Sequence, residues 1–456
     1  MSPAPSHPAA APDRPAVAPT RSWSFPAPIR HTLANGITLL AYDLPGQYVL
    51  AVRALIRFGL AAEPAGREGV AVMMARLLDE GTQRHTSEEF AGLLERHGIA
   101  FGAGVADGGL MVDVDVSARH LGAALDLLRQ ALTEASFPED EVRRVLRSRL
   151  AEIEQERASA GHRASRELIA TMYAAGERAA IPNAGTAATI GSLTREDIAG
   201  FHARVVRPQG AVVVLAGDLR DLDYLALVEG SLGDWVADPM DVPGPRRPIP
   251  AADADRIVLV DRPGAVQTEL ALGVPGPDRS VATGWAPYPV LSFVIGGSPN
   301  ARIDAVLREE KGFTYGIRCG FRPRARGGSF VVSGSVRADS TIESLHLLRE
   351  ILDRARDGFT PEEVRAGVDF VAGTAPGRYA TAEAVADEAI GLALEELPEN
   401  FTNTNLEAVR ALTPERLTSA FREVTGTGMT VVLVGDAGSL RPGLAAEHPT
   451  FSVVSQ

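Results

Sequence analysis

SLTREDIAGFHARVVRPQGAVVVLAGD (residues 192–218) comes back near the end of the chain as ALTPERLTSAFREVTGTGMTVVLVGD (411–436). Each copy sets a Thr before a charged helical run, then a Gly-containing turn, then an apolar strand that closes on Gly-Asp. Other pairs keep the same order: LPGQYVLAVRALI (44–56) with RPGAVQTELALGV (262–274), and SFPEDEVRRVL (136–146) with GFTPEEVRAGV (358–368). Gly46 and Gly264 lie 218 residues apart, Thr194 and Thr413 lie 219 apart, Phe137 and Phe359 lie 222 apart, and Gly217 and Gly435 lie 218 apart. A steady offset of that size marks a duplicated domain, since solenoid periods are about 20–50 residues.

The boundary between the copies falls at DWVADPMDVPGPRRPIPAADADR (234–256), whose five prolines block helix and ladder alike and predict an extended linker. The expected organisation is a disordered tail over 1–22, a first domain over 23–233, the linker, and a second domain over 257–456. Inside the first copy, NGITLLAYDL and YVLAVRALIRFG read as strands, with Asn35-Gly36 as a turn before the first. GREGVAVMMARLLDEGT (66–82) reads as a helix with almost no polar face. TSEEFAGLLERHG reads as a helix with a Thr86/Glu89 capping box and Gly98 at its end. GLMVDVDVS alternates as a half-buried strand. Long helical runs begin at ARHLGAALDLL and at Pro138, then comes a helix capped by Thr194, and GAVVVLAGDL closes the unit as a buried strand. Strands cluster, then helices, then one strand. The fold class is α+β: two homologous domains, each a mostly antiparallel sheet covered on one side by helices.

Composition narrows the function. The 456 residues carry 58 acidic and 45 basic side chains, a formal net charge of −13. Nucleic acid and anionic membrane both demand clustered Lys and Arg, so neither is expected as a partner. No apolar run reaches the roughly 18 residues that span a bilayer. The first 22 residues lack the charged start and apolar core of a signal peptide. The single cysteine, Cys319, makes no internal disulfide, and nothing beside it in sequence activates it. The cytoplasm is the simplest expected location.

Several phrases carry a family resemblance: LANGITLL, the frame G-V-A…L-L-x-E-G-T, LTREDIAGFHARVVRPQGAVVVLAGDL, and ARIDAVLREEKGFTY. Over about residues 27–437 the chain resembles the M16 peptidases, the pitrilysin and mitochondrial-processing-peptidase family, in its small-subunit branch. The resemblance implies two subunits that close like a clam shell around a chamber. It also implies a zinc motif, His-x-x-Glu-His, on the first helix, with a further Glu on the long downstream helix. Two His at i and i+4 share a helical face and grip one zinc, and the Glu acts as general base. Carried onto this sequence, the two His positions fall on Val72 and Arg76, the base on Ala75, and the distal ligand on Glu152. Valine has no ligand atom, alanine takes no proton, and arginine stays charged and repels a dication. Glu152 alone makes no zinc site and reads equally as an ion-paired helix residue. The nine histidines form no HxxEH elsewhere, and HRASRE (162–167) has the wrong spacing. No metal is therefore expected in this chain.

The second half matches the family's segment that holds an Arg and a Tyr thirteen residues apart, here Arg302 and Tyr315. The resemblance implies that Tyr315 donates to the oxyanion of the tetrahedral intermediate in the facing domain, and that Arg302 holds the substrate nearby. The plain alternative is an Arg302 paired with Asp304, Glu309 or Glu310, and a Tyr315 in the core. The Gly-rich loop VIGGSPNAR, with Gly296 and Gly297, lacks P-loop spacing. It reads as either a peptide-contacting loop or a plain turn. Substrates in the family add as a strand to a sheet edge. The candidate edge is FGAGVADGGLMVDV (101–114), where Gly104 admits a close backbone approach, and a hairpin with no ligand is the alternative. The expected function is a zinc-less subunit of a heterodimeric zinc peptidase. Its partner would carry His-x-x-Glu-His and the zinc, and a peptide would be the substrate. A structural or peptide-binding scaffold is the competing reading, and no Ser, Cys or Thr constellation suggests a third.

Overall fold

The computed structural model describes residues 23–238, 240–253, 255–426, 428–447 and 451–454. The tail expected over 1–22 lies outside the described residues.

Among the described residues, twelve strands form two six-stranded sheets of matching order. In the first, β1 (Ile29–Thr32), β2 (Thr38–Asp43), β3 (Val49–Arg57), β4 (Ala100–Ala106), β5 (Gly109–Ser117) and β6 (Val212–Gly217) run in the order β1-β2-β6-β3-β5-β4. In the second, β7 (Ile257–Asp261), β8 (Gln267–Gly276), β9 (Ile317–Pro323), β10 (Gly328–Arg337), β11 (Thr430–Gly435) and β12 (Phe451–Val454) run β12-β7-β11-β8-β10-β9. The strand that closes each copy in sequence inserts into the middle of its sheet. β6 runs parallel to β2, with Thr38 opposite Val212, and antiparallel to β3, with Val52 opposite Leu215. The flanking strand breaks the symmetry. β1 precedes its sheet and pairs antiparallel, whereas β12 follows its sheet and pairs parallel.

Alternation places the core. Leu110, Val112, Val114 and Val116 of β5 all point to one face and are fully buried. That face carries α1 (Val70–Ala75), α2 (Ser87–His97), α3 (Leu121–Thr133) and α4 (Glu139–Ala158). Thr86 and Glu89 make the capping box expected of α2, and Gly98 ends it in the left-handed region at φ 60°.

The other face of each sheet is covered by the opposite half of the chain. Helix Ala382–Leu394, from the second half, lays Val385, Ala386, Ala389 and Ile390 over Leu40, Tyr42, Leu55 and Val214 of the first sheet. In return α5 (Ala160–Met172) lays Ala164 and Leu168 over Val258, Val260, Ala271 and Val432 of the second. The helices expected on one side are thus joined by an exchanged helix on the other. Burial on both faces explains why β3 reads as an almost unbroken apolar run. The charge at the middle of β3, Arg53, is buried at 2% exposure and is compensated. Its Nε donates to Asp387 on the exchanged helix (2.7 Å), and its Nη1 donates to Asp115 (3.0 Å).

Two more contacts join the halves. At the β4–β5 tip, Asp107 accepts from Ala325 N (3.1 Å) and Arg324 Nε (3.2 Å) at the β9–β10 tip. The stretch 240–251 runs extended between the halves. Gly59 N donates to Pro243 O (2.6 Å), Ala174 N to Ile249 O (2.9 Å), and Ala251 N to Met172 O (3.0 Å). A Cβ on Gly59 would fall 2.3 Å from the Gly244 carbonyl, so only glycine lets the strand end and this stretch meet.

Three elements differ from their sequence reading. The helix expected over 66–82 is α-helical only at Val70–Ala75, and its continuation tightens into i+3 turns, with Leu77 N bonded to Met74 O and Leu78 N to Ala75 O. The long helix from Pro138 breaks at Ser159, whose hydroxyl caps α5 through His162 N. The strand expected over 101–114 is a hairpin, with its turn at residues 107–108, and only its first arm lies at an edge.

Candidate functional site

The short helix α1 is held by its N-terminus. Gly69 takes φ 101°, and a Cβ there would lie 2.9 Å from the Gly185 backbone. The buried carboxylate of Glu63 accepts from Gly69 N (3.0 Å) and Ala71 N (3.1 Å), so a side chain from outside the helix satisfies its free donors. Burial pushes the Glu63 pKa up, opposed by the Arg178 guanidinium at 2.7 Å.

On α1, Val72 is half-buried and packs against the core, and Ala75 is fully buried. Arg76 reaches across to α4, where its Nη1 donates to Glu152 Oε1 at 2.8 Å. Arg149 Nη1 donates to the other oxygen, Oε2, at 3.0 Å, and also to Glu156 at 2.6 Å. Hydrogen bonding from Arg76 holds the Glu152 carboxyl below the usual glutamate range, against a smaller effect of burial. These residues do not fit a zinc ion. The positions that would ligate it hold an alkyl group and a cation, and the carboxylate is already clamped by two guanidinium groups. Among the described residues, no group of three or more His, Cys, Asp or Glu could hold a metal.

The Arg/Tyr segment lies at the other end of the chain. Arg302 opens helix Arg302–Asp304, and its fork is engaged: Nε and Nη2 bind Glu363 at 2.6 and 2.7 Å, and Nη2 also binds Gly358 O at 2.9 Å. The guanidinium sits 4.5 Å from the centre of the Phe359 ring. Its partner is thus Glu363, sixty-one residues away, and not Asp304, Glu309 or Glu310. Tyr315 is 92% exposed, which excludes the core-aromatic reading. Its loop is nonetheless pinned. Thr314 Oγ1 donates to Ser335 O (2.7 Å) and accepts from Gly316 N (3.0 Å), and the buried Asp304 accepts from Ile317 N (3.0 Å) and from Arg318 Nη1 (2.5 Å).

Gly296 has a packing role. It is buried, and a Cβ there would sit 3.0 Å from both N and Sγ of Cys319 on β9. With Ser292 Oγ accepting from Phe321 N (3.0 Å), this segment covers the free edge of β9. Gly297 is exposed, but a Cβ there would meet Ser292 O at 2.8 Å. Gly104 is different. It lies on β4, an edge strand bonded only to β5, and a Cβ there would meet nothing within 4 Å. Of the two equivalent edges, β9 is capped by the Gly-rich turn, and among the described residues no further strand pairs with β4. Burial pushes the Cys319 thiol far above its ordinary pKa, so it stays protonated.

Sequence reading missed the clamp of Arg149 on Glu152, although its i,i+3 spacing was visible. It also missed the Arg302–Glu363 pair, which no local pattern reveals, because Glu363 reads simply as the closing residue of the Thr360 capping box. No helix among the described residues is long and apolar enough to cross a membrane.

A family model described as "Insulinase (Peptidase family M16)" matches residues 40–183, and one described as "Peptidase M16 inactive domain" matches residues 192–369. Among curated proteins, an uncharacterized zinc protease of Mycobacterium tuberculosis is 25% identical over 74% of this chain and 77% of its own length. A non-peptidase homolog of Helicobacter pylori is 23% identical over 75% of this chain and 79% of its own. Among solved structures, a peptidase M16 inactive domain from Pseudomonas fluorescens superposes with a TM-score of 0.81 at 22% identity, covering 90% of this chain and 98% of that one.

Proposed function

Because the chain belongs to the M16 family, and carries Val72 and Arg76 where the resemblance expects zinc ligands and Ala75 where it expects the base, we propose that it is the non-catalytic subunit of a two-chain zinc peptidase. The partner carries His-x-x-Glu-His and the zinc. This chain contributes half of the chamber, the edge of β4 for a peptide strand, and the pair Arg302 and Tyr315. The observation that carries the reading is a contrast between two sites. At the degenerate one an arginine is locked to Glu152 at 2.8 Å, while Tyr315 stands 92% exposed on a pinned loop. A hydroxyl so displayed can donate to an oxyanion formed in a facing site, where removal of one such donor costs about 10²–10³ in kcat. A chain with a single thiol suits a reducing compartment, the cytoplasm.

The test is co-purification of the native assembly, zinc analysis, and peptide cleavage by each chain and by the pair. The expected outcome is zinc on the partner only, cleavage by the pair only, and a kcat that falls with Tyr315→Phe. A fully active pair with Tyr315→Phe removes the assigned role. The scaffold reading has one observation in its favour: the Arg302 fork is used up on Glu363. Absence of any peptidase activity in the native assembly would establish it instead.

A further inference from the structure

We infer that the cavity lined by residues 247–253 and by the paired ends of β8 and β10 binds a small amphipathic monocation, an amine with an aromatic or aliphatic body. The inference goes beyond the subunit reading and does not depend on it, because neither a partner chain nor zinc takes part.

The walls decide what kind of body fits. The cavity holds about 690 Å³, inside the roughly 300–1,000 Å³ of small-molecule sites. Both halves build it: Tyr173 comes from the first, and Val274, Tyr288 and Val424 come from the second. Tyr173 and Tyr288 are buried, and the Tyr288 ring packs against Trp285 and Phe321 at centroid distances of 4.9 and 4.7 Å. This part of the wall is therefore apolar and fixed. Four prolines extend it: Pro248 and Pro250 from the stretch between the halves, and Pro275 and Pro277 at the end of β8. Proline presents a ring and a carbonyl but no N–H. At four positions the backbone thus offers acceptors without donors, which suits a ligand that donates.

The charges decide the sign. One cation, Arg247, and three carboxylates, Asp253, Asp255 and Glu423, line the cavity. Arg247 is neutralised, because its Nη2 donates to the buried Asp278 at 2.7 Å. Asp253 is taken by Arg256 Nη1 at 2.9 Å. Among the described residues, Asp255 and Glu423 form no ion pair. Glu423 accepts a long bond from Ser419 Oγ on its own helix, Pro414–Thr425, at 3.4 Å. Asp255 is shared with a smaller neighbouring cavity that Arg256, Arg349 and Arg356 also line, so Glu423 is the stronger anchor of the two. Burial raises the pKa of the Tyr288 hydroxyl, a hydrogen bond with Thr283 opposes the rise, and the Glu423 charge adds to it. Carboxylate and phenol thus address one space. An ammonium at Glu423 with its body over Tyr288 matches charge to charge and apolar surface to apolar surface.

The experiment titrates the full chain by calorimetry with two probes of one shape and opposite charge. Tryptamine is an indole that carries an ammonium at neutral pH, and indole-3-propionate is an indole that carries a carboxylate. We expect tryptamine to bind at millimolar concentration and to raise the Tm, and indole-3-propionate to bind about tenfold more weakly or not at all. Glu423→Gln, at an exposed helix position, should leave the Tm of the free chain unchanged. It should weaken tryptamine about fivefold and leave indole-3-propionate no weaker than before. Ala252→Trp, which puts bulk on an exposed part of the wall, should weaken both probes. Absence of tryptamine binding overturns the inference. So does equal affinity for the two indoles, or a tryptamine affinity that either variant leaves unchanged.

Discussion

Arg76 on α1 and Glu152 on α4 bind each other at 2.8 Å, on the two elements that the family resemblance assigns to a zinc site. The guanidinium supplies the positive charge that a carboxylate facing a metal would otherwise meet. Arg149 completes the arrangement from the other side, so Glu152 stays ionised and compensated. On the assignment proposed above, this ion pair is a repair that links the first helix to the long one.

The repair is pH-sensitive in a definite direction. The folded Glu152 is more acidic than the unfolded one. Its contribution is complete above the ordinary glutamate value of about 4.3 and fades as pH falls below that through the lower folded value. Both side chains are more than a third exposed, so screening keeps the contribution within about 1 kcal/mol. Denaturant melts should show Glu152→Gln slightly less stable than the parent at pH 7, with the two curves converging as the pH falls through the lowered folded value.

Metal binding should be recoverable. Val72→His with Arg76→His places two imidazoles one turn apart and frees Glu152 from its main partner. Metal analysis after dialysis should find zinc retained by the double variant and none by the parent. Equal zinc in both would refute the assignment of these positions.

The exchanged helices should make the two halves one folding unit. Leu168 of α5 lies on Gly273 of the second sheet, where a Cβ would approach its Cδ2 to 3.0 Å. Leu168→Ala removes buried apolar surface and should cost about 2–4 kcal/mol. The loss should appear as one shifted unfolding transition reported by tryptophans of both halves, Trp235 and Trp285. Two separate transitions would show that the halves fold independently.

The open edge can be tested without touching the core. Gly104→Val adds a side chain where the structure leaves 4 Å clear, and β-branched residues suit strands. The Tm should hold or rise. KM of the assembled peptidase should increase severalfold, because the added isopropyl group obstructs an incoming backbone. An unchanged KM would move peptide docking away from β4.

By itself the sequence determined the duplication, the α+β class and the absence of ligand or base side chains at positions 72, 75 and 76. Each is written in local chemistry: strand alternation as in β5, capping pairs such as Thr86 with Glu89, and side chains at 72, 75 and 76 that lack ligand or base atoms. It also placed Tyr315 and Gly104 as residues to examine. Tertiary structure alone decided which face each half lends the other, because α5 and helix Ala382–Leu394 are amphipathic toward sheets more than 80 residues away in sequence. It also decided the fate of the charges. Arg302 had acidic neighbours on its own helix, yet it bound Glu363, and Arg76 bound Glu152, because a guanidinium settles where a fixed carboxylate and partial burial coincide. That coincidence is a property of packed helices, and spacing along the chain does not encode it.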